Sequence, residues 1–307
     1  MSLARRLLLR ASRSPWLADQ LRRRAFLRRA ARRFLPGEDL AAALDAAAEF
    51  ARARLGSVLT QLGEQVTTQA EAESVRDHYL GALGQVRARR LPAQLSVKLT
   101  HLGLEVDRAG CEQALRALVA RAADSGSFLW IDMEESRYVD VTLELFRRAR
   151  AERESVGICL QAYLRRTPKD VVELLPLGAA IRLVKGAYNE PAKIAFPRKR
   201  DVDGCYAMLA DRLLQEAARG RGRPVFGTHD VRLIAGIRER AVRYGTPATA
   251  YEIHMLYGIK AAAQRALAAD GCTVRVLISY GTAWFAWYMR RLAERPANVW
   301  FVVRNLV

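Results

Sequence analysis

Cysteine and histidine are scarce, four of each in 307 residues. Cys111, Cys159, Cys205 and Cys272 form no CxxC pair, and none stands near a histidine at a metal-ligand spacing. That argues against a zinc site or a dithiol motif and for reduced, mostly buried thiols of a cytosolic protein. Long uncharged runs are also lacking: the longest, Val276–Met289, has 14 residues, short of the roughly 18–20 that a spanning helix needs. No GxGxxG follows a β-type run and there is no P-loop, so a nucleotide, if bound, does not sit in a Rossmann crevice. Acidic residues are outnumbered, 32 against 50 basic ones, for a net charge of +18.

What is present is apolar and arginine-rich. Hydrophobic residues make up 51% of the chain, which excludes intrinsic disorder, and the length suits two average domains or one large α/β barrel. Only six of the basic residues are lysine, so the arginine bias reflects a GC-rich coding sequence as much as a function. Residues 1–37 hold eleven arginines and one acid, Asp19, a net +10. The excess charge belongs to an arm, with Leu17, Leu21, Phe26, Leu27 and Phe34 set among arginine pairs. Three readings compete: a transit peptide, an interfacial helix meeting anionic lipid or nucleic acid, or short amphipathic helices docked on the body. The chain shows no aromatic platform or nucleic-acid motif to favour DNA or RNA.

After Pro36–Gly37 comes a helical run, Asp39–Arg54, and then eight β-type runs: Ser57–Leu62, Leu95–Thr100, Phe128–Met133, Gly157–Ala162, Ile181–Gly186, Val225–Thr228, Tyr251–Leu256 and Val274–Ser279. Most are continuously apolar, as parallel strands buried on both faces are. Helical segments such as Cys111–Ala123, Val141–Arg150, Asp203–Ala218 and Val231–Tyr244 lie between them. Eight β/α units predict an α/β fold, a (βα)8 TIM barrel, with an N-terminal helical arm over residues 1–55 and the barrel over 56–307; a doubly wound sheet is the alternative. In a barrel the chemistry gathers where strands end. Those positions hold Lys98, Asp132–Met133–Glu134, Gln161, Arg182, Lys185, Thr228–His229–Asp230, Glu252 and His254. A following helix aligns Trp287, Arg290, Arg291 and Glu294 on one face. A cationic rim of Lys98, Arg182, Lys185, Arg290 and Arg291 calls for an anion, and paired arginines suit a carboxylate or phosphate. The plain alternatives are surface charges, structural histidines at His101 and His254, and a solvated His78 on a helix.

At these residues the chain resembles the proline dehydrogenase family, in particular its single-function bacterial members. The matching segments are Ser96–Thr100, Ile131–Glu134, Gln161–Tyr163, Arg182–Tyr188, Thr228–Asp230, Met255–Gly258 and Arg290–Pro296. The resemblance implies a distorted TIM barrel holding FAD, and oxidation of L-proline to Δ1-pyrroline-5-carboxylate by hydride transfer from the ring carbon to flavin N5. It further implies a quinone as electron acceptor, a separate pyrroline-5-carboxylate dehydrogenase as partner, and a cytoplasmic location, with peripheral membrane contact through the basic arm as an option. By motif, Asp132 and Arg182 would be the catalytic residues. Lys98, Arg290 and Arg291 would hold the substrate carboxylate, with Glu294 bracing the pair. Met133, Gln161, Arg182, Val184, Lys185, Gly186, Ala187, Thr228 and His229 would contact FAD. Two residues depart from the family pattern at the proline ring: Leu277 and Trp287 stand where tyrosine is usual. His101 and His254 replace common glutamines. The departures leave open a relative that oxidises another cyclic amino acid, such as 4-hydroxyproline or a biosynthetic imino acid. A flavin barrel that regulates through its arm and a cofactorless structural barrel are the readings outside that activity.

Overall fold

The eight apolar runs pair in sequence order and close on themselves. In the computed structural model, which describes residues 33–284, β1 (Gly56–Gln61), β2 (Ala93–Val97), β3 (Leu129–Ile131), β4 (Val156–Gln161), β5 (Ala180–Val184), β6 (Arg223–Gly227), β7 (Glu252–Leu256) and β8 (Thr273–Tyr280) form one closed parallel barrel. β8 returns to β1 in parallel register, with Val58 opposite Leu277 and Thr60 opposite Ser279. Closure rules out the doubly wound sheet and bears out the TIM barrel.

Helices α1 (Leu40–Arg52), α2 (Gln69–Ala88), α3 (Arg108–Asp124), α4 (Val139–Glu152), α5 (Thr167–Leu174), α6 (Lys199–Ala218), α7 (Val231–Tyr244) and α8 (Ala261–Ala269) surround the strands. The first run predicted as helix starts one residue later than expected because Asp39 is its N-cap, accepting from Ala42 N at 2.8 Å. This side-chain acceptor satisfies a backbone donor that the first turn leaves unpaired. α1 buries Ala43, Leu44, Ala46 and Ala47 against β1 and β8, so the C-terminal part of the arm is packed on the barrel wall. α2 opens with a capping box between Thr68 and Glu71. No helix of the described residues is long and apolar enough to cross a membrane.

Side chains alternate along each strand, as the two-residue period requires. Leu129, Ile131, Ile158, Ile181 and Leu183 face outward into the layer beneath the helices, whereas Val58, Trp130, Ala180 and Val225 form a separate inner cluster with Phe128 and Leu277. Trp130 dominates that inner space. Its register partner is Gly157, where a Cβ would lie 2.6 Å from the indole, so a side chain there would displace the ring.

Six predicted strands run past the observed ends: Leu62 lies beyond β1, Lys98 to Thr100 beyond β2, Asp132 and Met133 beyond β3, Ala162 beyond β4, Lys185 and Gly186 beyond β5 and Thr228 beyond β6. Past β2 and β6 the chain leaves the sheet because local bonds replace the ladder: Leu102 N donates to Lys98 O at 3.1 Å, and Asp230 N to Thr228 Oγ1 at 3.2 Å. The cysteines are free and buried, as expected.

Candidate active site

The carboxyl ends of β2, β3 and β5 bring four polar side chains together. Ser96 and Arg182 point inward from β2 and β5, and Asp132 follows β3, its N–H still paired with Val97 O at 2.8 Å. Ser96 Oγ lies 2.8 Å from both Asp132 Oδ1 and Arg182 Nη2, and Arg182 Nη2 also donates to Asp132 Oδ1. Lys98 Nζ stands 3.7 Å from Asp132 Oδ2. Arg182 is 3% exposed, so its charge sits in a low dielectric with one carboxylate and one neighbouring ammonium. Within the Lys98–Asp132–Arg182 group two cations face one carboxylate, with the buried Glu134 carboxyl also acting on Lys98. Among the described residues, Arg182 Nη1 is buried with no hydrogen-bond partner, a donor left for a ligand.

Beside this cluster the backbone fixes a second set of groups. Gln161 Nε2 donates to Glu134 O at 2.8 Å, and Gln161 O accepts from Thr167 Oγ1 at 2.6 Å. Glu134 is buried and receives Thr100 N at 3.1 Å and Thr100 Oγ1 at 2.5 Å. Burial outweighs those bonds and pushes its carboxyl up to about 7. Met133 is buried between Asp132 and Glu134. Past β5, Gly186 takes φ +118°, and a Cβ there would lie 2.2 Å from the Tyr163 ring. Val184, Lys185 and Ala187 flank it, all partly exposed. His229 Nε2 accepts from Leu256 N at 2.7 Å, so the neutral ring carries its proton on Nδ1.

Lys185 stands directly after β5, at the rim where it was expected, and its Nζ lies 2.6 Å from Asp203 and 3.3 Å from Asp230, the N-cap of α7. The two acids neutralise it. Burial raises the Asp203 carboxyl, yet its bonds to Lys185 and Lys199 hold it below the ordinary range. His78 corrects an expectation: instead of being solvated it is half-buried, its Nε2 2.9 Å from the Tyr280 hydroxyl.

Deeper in the barrel, Glu252 gathers Arg223 (Nε at 2.9 Å), Arg275 Nε at 2.7 Å and His254 at 3.1 Å. Burial would raise the Glu252 carboxyl, but His254 and the two arginines hold it well below its usual range. His254 is itself lowered to about 4, by burial first. The expectation of structural roles for His254 and His101 agrees with these surroundings. His101 is buried against Gly63, and burial, Lys98 and His78 lower it to about 4. Such a histidine is neutral in the fold. The stability this confers is present above the ordinary value near 6.5 and is lost as pH falls toward 4. Between pH 7 and pH 4.5, His101→Gln is expected to remove roughly 2–3 kcal/mol of that acid loss. Urea unfolding at the two pH values measures it, and an unchanged pH slope would refute the assignment.

The sequence profile of the proline dehydrogenase family matches residues 43–304. The chain belongs to the proline dehydrogenase family. It is similar to proline dehydrogenase of Deinococcus radiodurans, 37% identical over 282 residues, and to proline dehydrogenase 1 of Bacillus subtilis, 35% identical over 277 residues. Each alignment covers 90% of this chain and 90% of the relative. Among solved structures it is similar to proline utilization A of Bdellovibrio bacteriovorus, with a TM-score of 0.80 and 25% identity over 86% of this chain. The matching region spans 32% of that larger chain.

Within this proline dehydrogenase fold, Lys98, Asp132 and Arg182 meet as one cluster, Met133 follows Asp132 past β3, and Gln161 ends the neighbouring β4. Leu277 faces the barrel interior, with Leu256 and Val58 as its register partners. Trp287, Arg290, Arg291 and Glu294 lie outside the described residues. Ser96, Gln94 and Trp130 were not anticipated. Ser96 bonds both members of the Asp132–Arg182 pair, and Trp130 lies beneath Arg182, its ring centroid 5.1 Å from Cζ.

Proposed function

We propose that this chain oxidises L-proline to Δ1-pyrroline-5-carboxylate with FAD as cofactor. The observation that carries the reading is the buried Ser96–Asp132–Arg182 cluster with Lys98 beside it, in a chain of this family. FAD, when bound, supplies the acceptor for the hydride that leaves the ring carbon next to nitrogen. The residues present suit such a group. Arg182 Nη1 is a buried donor lacking a partner among the described residues, and Gly186 lets the chain past β5 lie against the Tyr163 ring, where a side chain would clash. Gln161 at the end of β4, and Thr228 and His229 past β6, have backbone-anchored side chains on either side of β5. Together with Met133, Val184, Lys185 and Ala187 they would hold it.

The protein's own work is electrostatic and positional. Asp132 faces both cations of the group, and a substrate carboxylate would bring a second negative charge to them. Lys98, whose side chain is 13% exposed against 4% for Arg182, is the more open of the two cations and would meet that carboxylate, with Arg290 and Arg291 as its partners. Holding the ring in one orientation replaces a bimolecular encounter by a positioned one. A fixed positive charge at Arg182 favours negative charge developing beside it.

Electrons would pass on to a quinone and the product to a separate pyrroline-5-carboxylate dehydrogenase. The basic arm, eleven arginines against one acid in residues 1–37, suits peripheral contact with an anionic cytoplasmic membrane face. Leu277 and Leu256 offer a ring hydroxyl no hydrogen-bond partner, which favours proline over 4-hydroxyproline. The test is a flavin spectrum of the purified protein followed by dye-coupled oxidation. A yellow protein that releases FAD on denaturation is expected, with kcat/KM for L-proline at least about 10-fold above 4-hydroxyproline and pipecolate, or roughly 1.4 kcal/mol of preference. A colourless protein without proline oxidation overturns the reading, and a preference for another cyclic amino acid replaces the substrate.

A further inference from the structure

Arg182 is a long side chain in the barrel interior, and hydrogen bonds restrain it from one side only. Nη2 is taken by Ser96 and Asp132, whereas Nη1 lacks a partner among the described residues. What bounds the other side of the guanidinium is an aromatic face. Arg182 Cζ lies 5.1 Å from the Trp130 ring centroid, and Arg223 Cζ lies 5.8 Å from the same ring. Two cations therefore approach one indole, whose negative π faces attract both. The ring itself is held firmly. Its Nε1 donates to Gln94 Oε1 at 2.7 Å, Phe128 packs on it at 5.1 Å between centroids, and His254 meets it edge to face at 5.7 Å and 81°. Gly157 on the adjacent strand leaves the space the ring occupies.

We propose that Trp130 is the positioning residue that sets the height and orientation of Arg182 at the cofactor site, with Gln94 anchoring the indole. The proposal rests on the flavin reading above. Its physical basis is the cation–π contact between the guanidinium and the indole face. With the ring in place, each guanidinium rests against an attractive face. With the ring gone, Arg223 keeps its bonds to Glu252, whereas Arg182 loses the face it rests against and, among the described residues, is held to oxygen partners only through Nη2, by Ser96 and Asp132. Ser96 and Asp132 bond a single nitrogen of Arg182, so they leave the guanidinium plane free to turn about that contact. A turn of the plane moves Nη1, the atom left for a ligand.

The experiment compares Trp130→Leu, Trp130→Phe and Gln94→Leu in the full-length FAD-loaded protein, reading FAD dissociation, the flavin absorption spectrum, kcat per bound flavin and Tm. Trp130→Leu is expected to weaken FAD retention and lower kcat per bound flavin by at least about 10-fold, with altered flavin bands. Trp130→Phe keeps a ring face and is expected to return kcat per bound flavin to within about threefold of the parent. Gln94→Leu leaves the ring but frees its edge, and an intermediate loss of about threefold is expected. A purely structural Trp130 would lower Tm in these variants while kcat per bound flavin and the flavin bands stayed as in the parent, and that result overturns the proposal. If Trp130→Leu does not fold, Gln94→Leu decides alone: a spectrum and kcat per bound flavin equal to the parent's refute the proposal. Failure of the underlying reading is separate, since the unmutated protein would then take up no FAD.

Discussion

Asp132→Asn is expected to lower kcat/KM for proline by about 10³-fold, or roughly 4 kcal/mol of transition-state stabilisation. The substitution keeps the shape of the side chain and removes its charge. In the parent, Oδ1 receives Ser96 Oγ and Arg182 Nη2, and Oδ2 lies 3.7 Å from Lys98. An amide at that place leaves Arg182 buried without a carboxylate, and removing one partner of a buried pair typically costs about 3–5 kcal/mol of stability. The Asp132 side chain is 20% exposed, so the lower end, about 3 kcal/mol, is expected here. The kinetic effect has a defined split. Lys98 loses its competing anion, so KM for a carboxylate substrate should not rise, and the loss should fall on kcat. Arg182→Met removes the other end of the same pair, and the double variant should lose much less than the sum of the two single losses, because the residues act as a unit. Additive losses, or a rise in KM with kcat unchanged, would show that Asp132 and Arg182 work independently.

How far such a pair is visible without a structure depends on which signal it leaves. Lys98, Asp132 and Arg182 stand at the ends of apolar runs, where a charge has no reason to be unless a barrel mouth collects it, and the motif around Arg182 is specific. The strands were legible for the same reason, since parallel strands covered on both faces are apolar throughout. Ser96 and Trp130 lie inside such runs and look like ordinary sheet residues. Only the register, which places Ser96 opposite Trp130 and Trp130 opposite Gly157, turns them toward the cluster. The ion pairs of Lys185 were not legible because its partners, Asp203 and Asp230, come from later helices and leave no local pattern. His78 misled for the same reason, since its partner Tyr280 lies 202 residues away. The strand ends were overrun because the side chains that continue the apolar pattern past β2 and β3 are packed by the loops instead of the ladder.

Gly186→Ala is expected to be strongly destabilising at the barrel mouth. Two costs combine. The backbone there has φ +118°, which an L side chain adopts with strain of order 1–3 kcal/mol. The new Cβ would also lie 2.2 Å from Tyr163 Cδ1 and 2.5 Å from Cε1 and Cγ, and overpacking of that kind costs about 1–3 kcal/mol. Tyr163 cannot yield easily, because its N–H donates to Lys185 O at 2.9 Å and its carbonyl accepts from Phe196 N at 2.7 Å. The loop after β5 is thereby locked to the loop after β4, on the stretch proposed to hold FAD. A stability loss of about 3–5 kcal/mol is expected, equivalent to a Tm roughly 10 °C lower for a domain of this size, with FAD retention falling further than Tm alone predicts. Gly245→Ala is the comparison without a clash. Gly245 ends α7 with φ +67°, and a Cβ there meets nothing within 4 Å, so the backbone term acts alone and a loss of about 1 kcal/mol is expected. Equal losses at the two glycines would mean that the Tyr163 contact contributes nothing. A Gly186→Ala protein that keeps its FAD would detach this loop from the cofactor site.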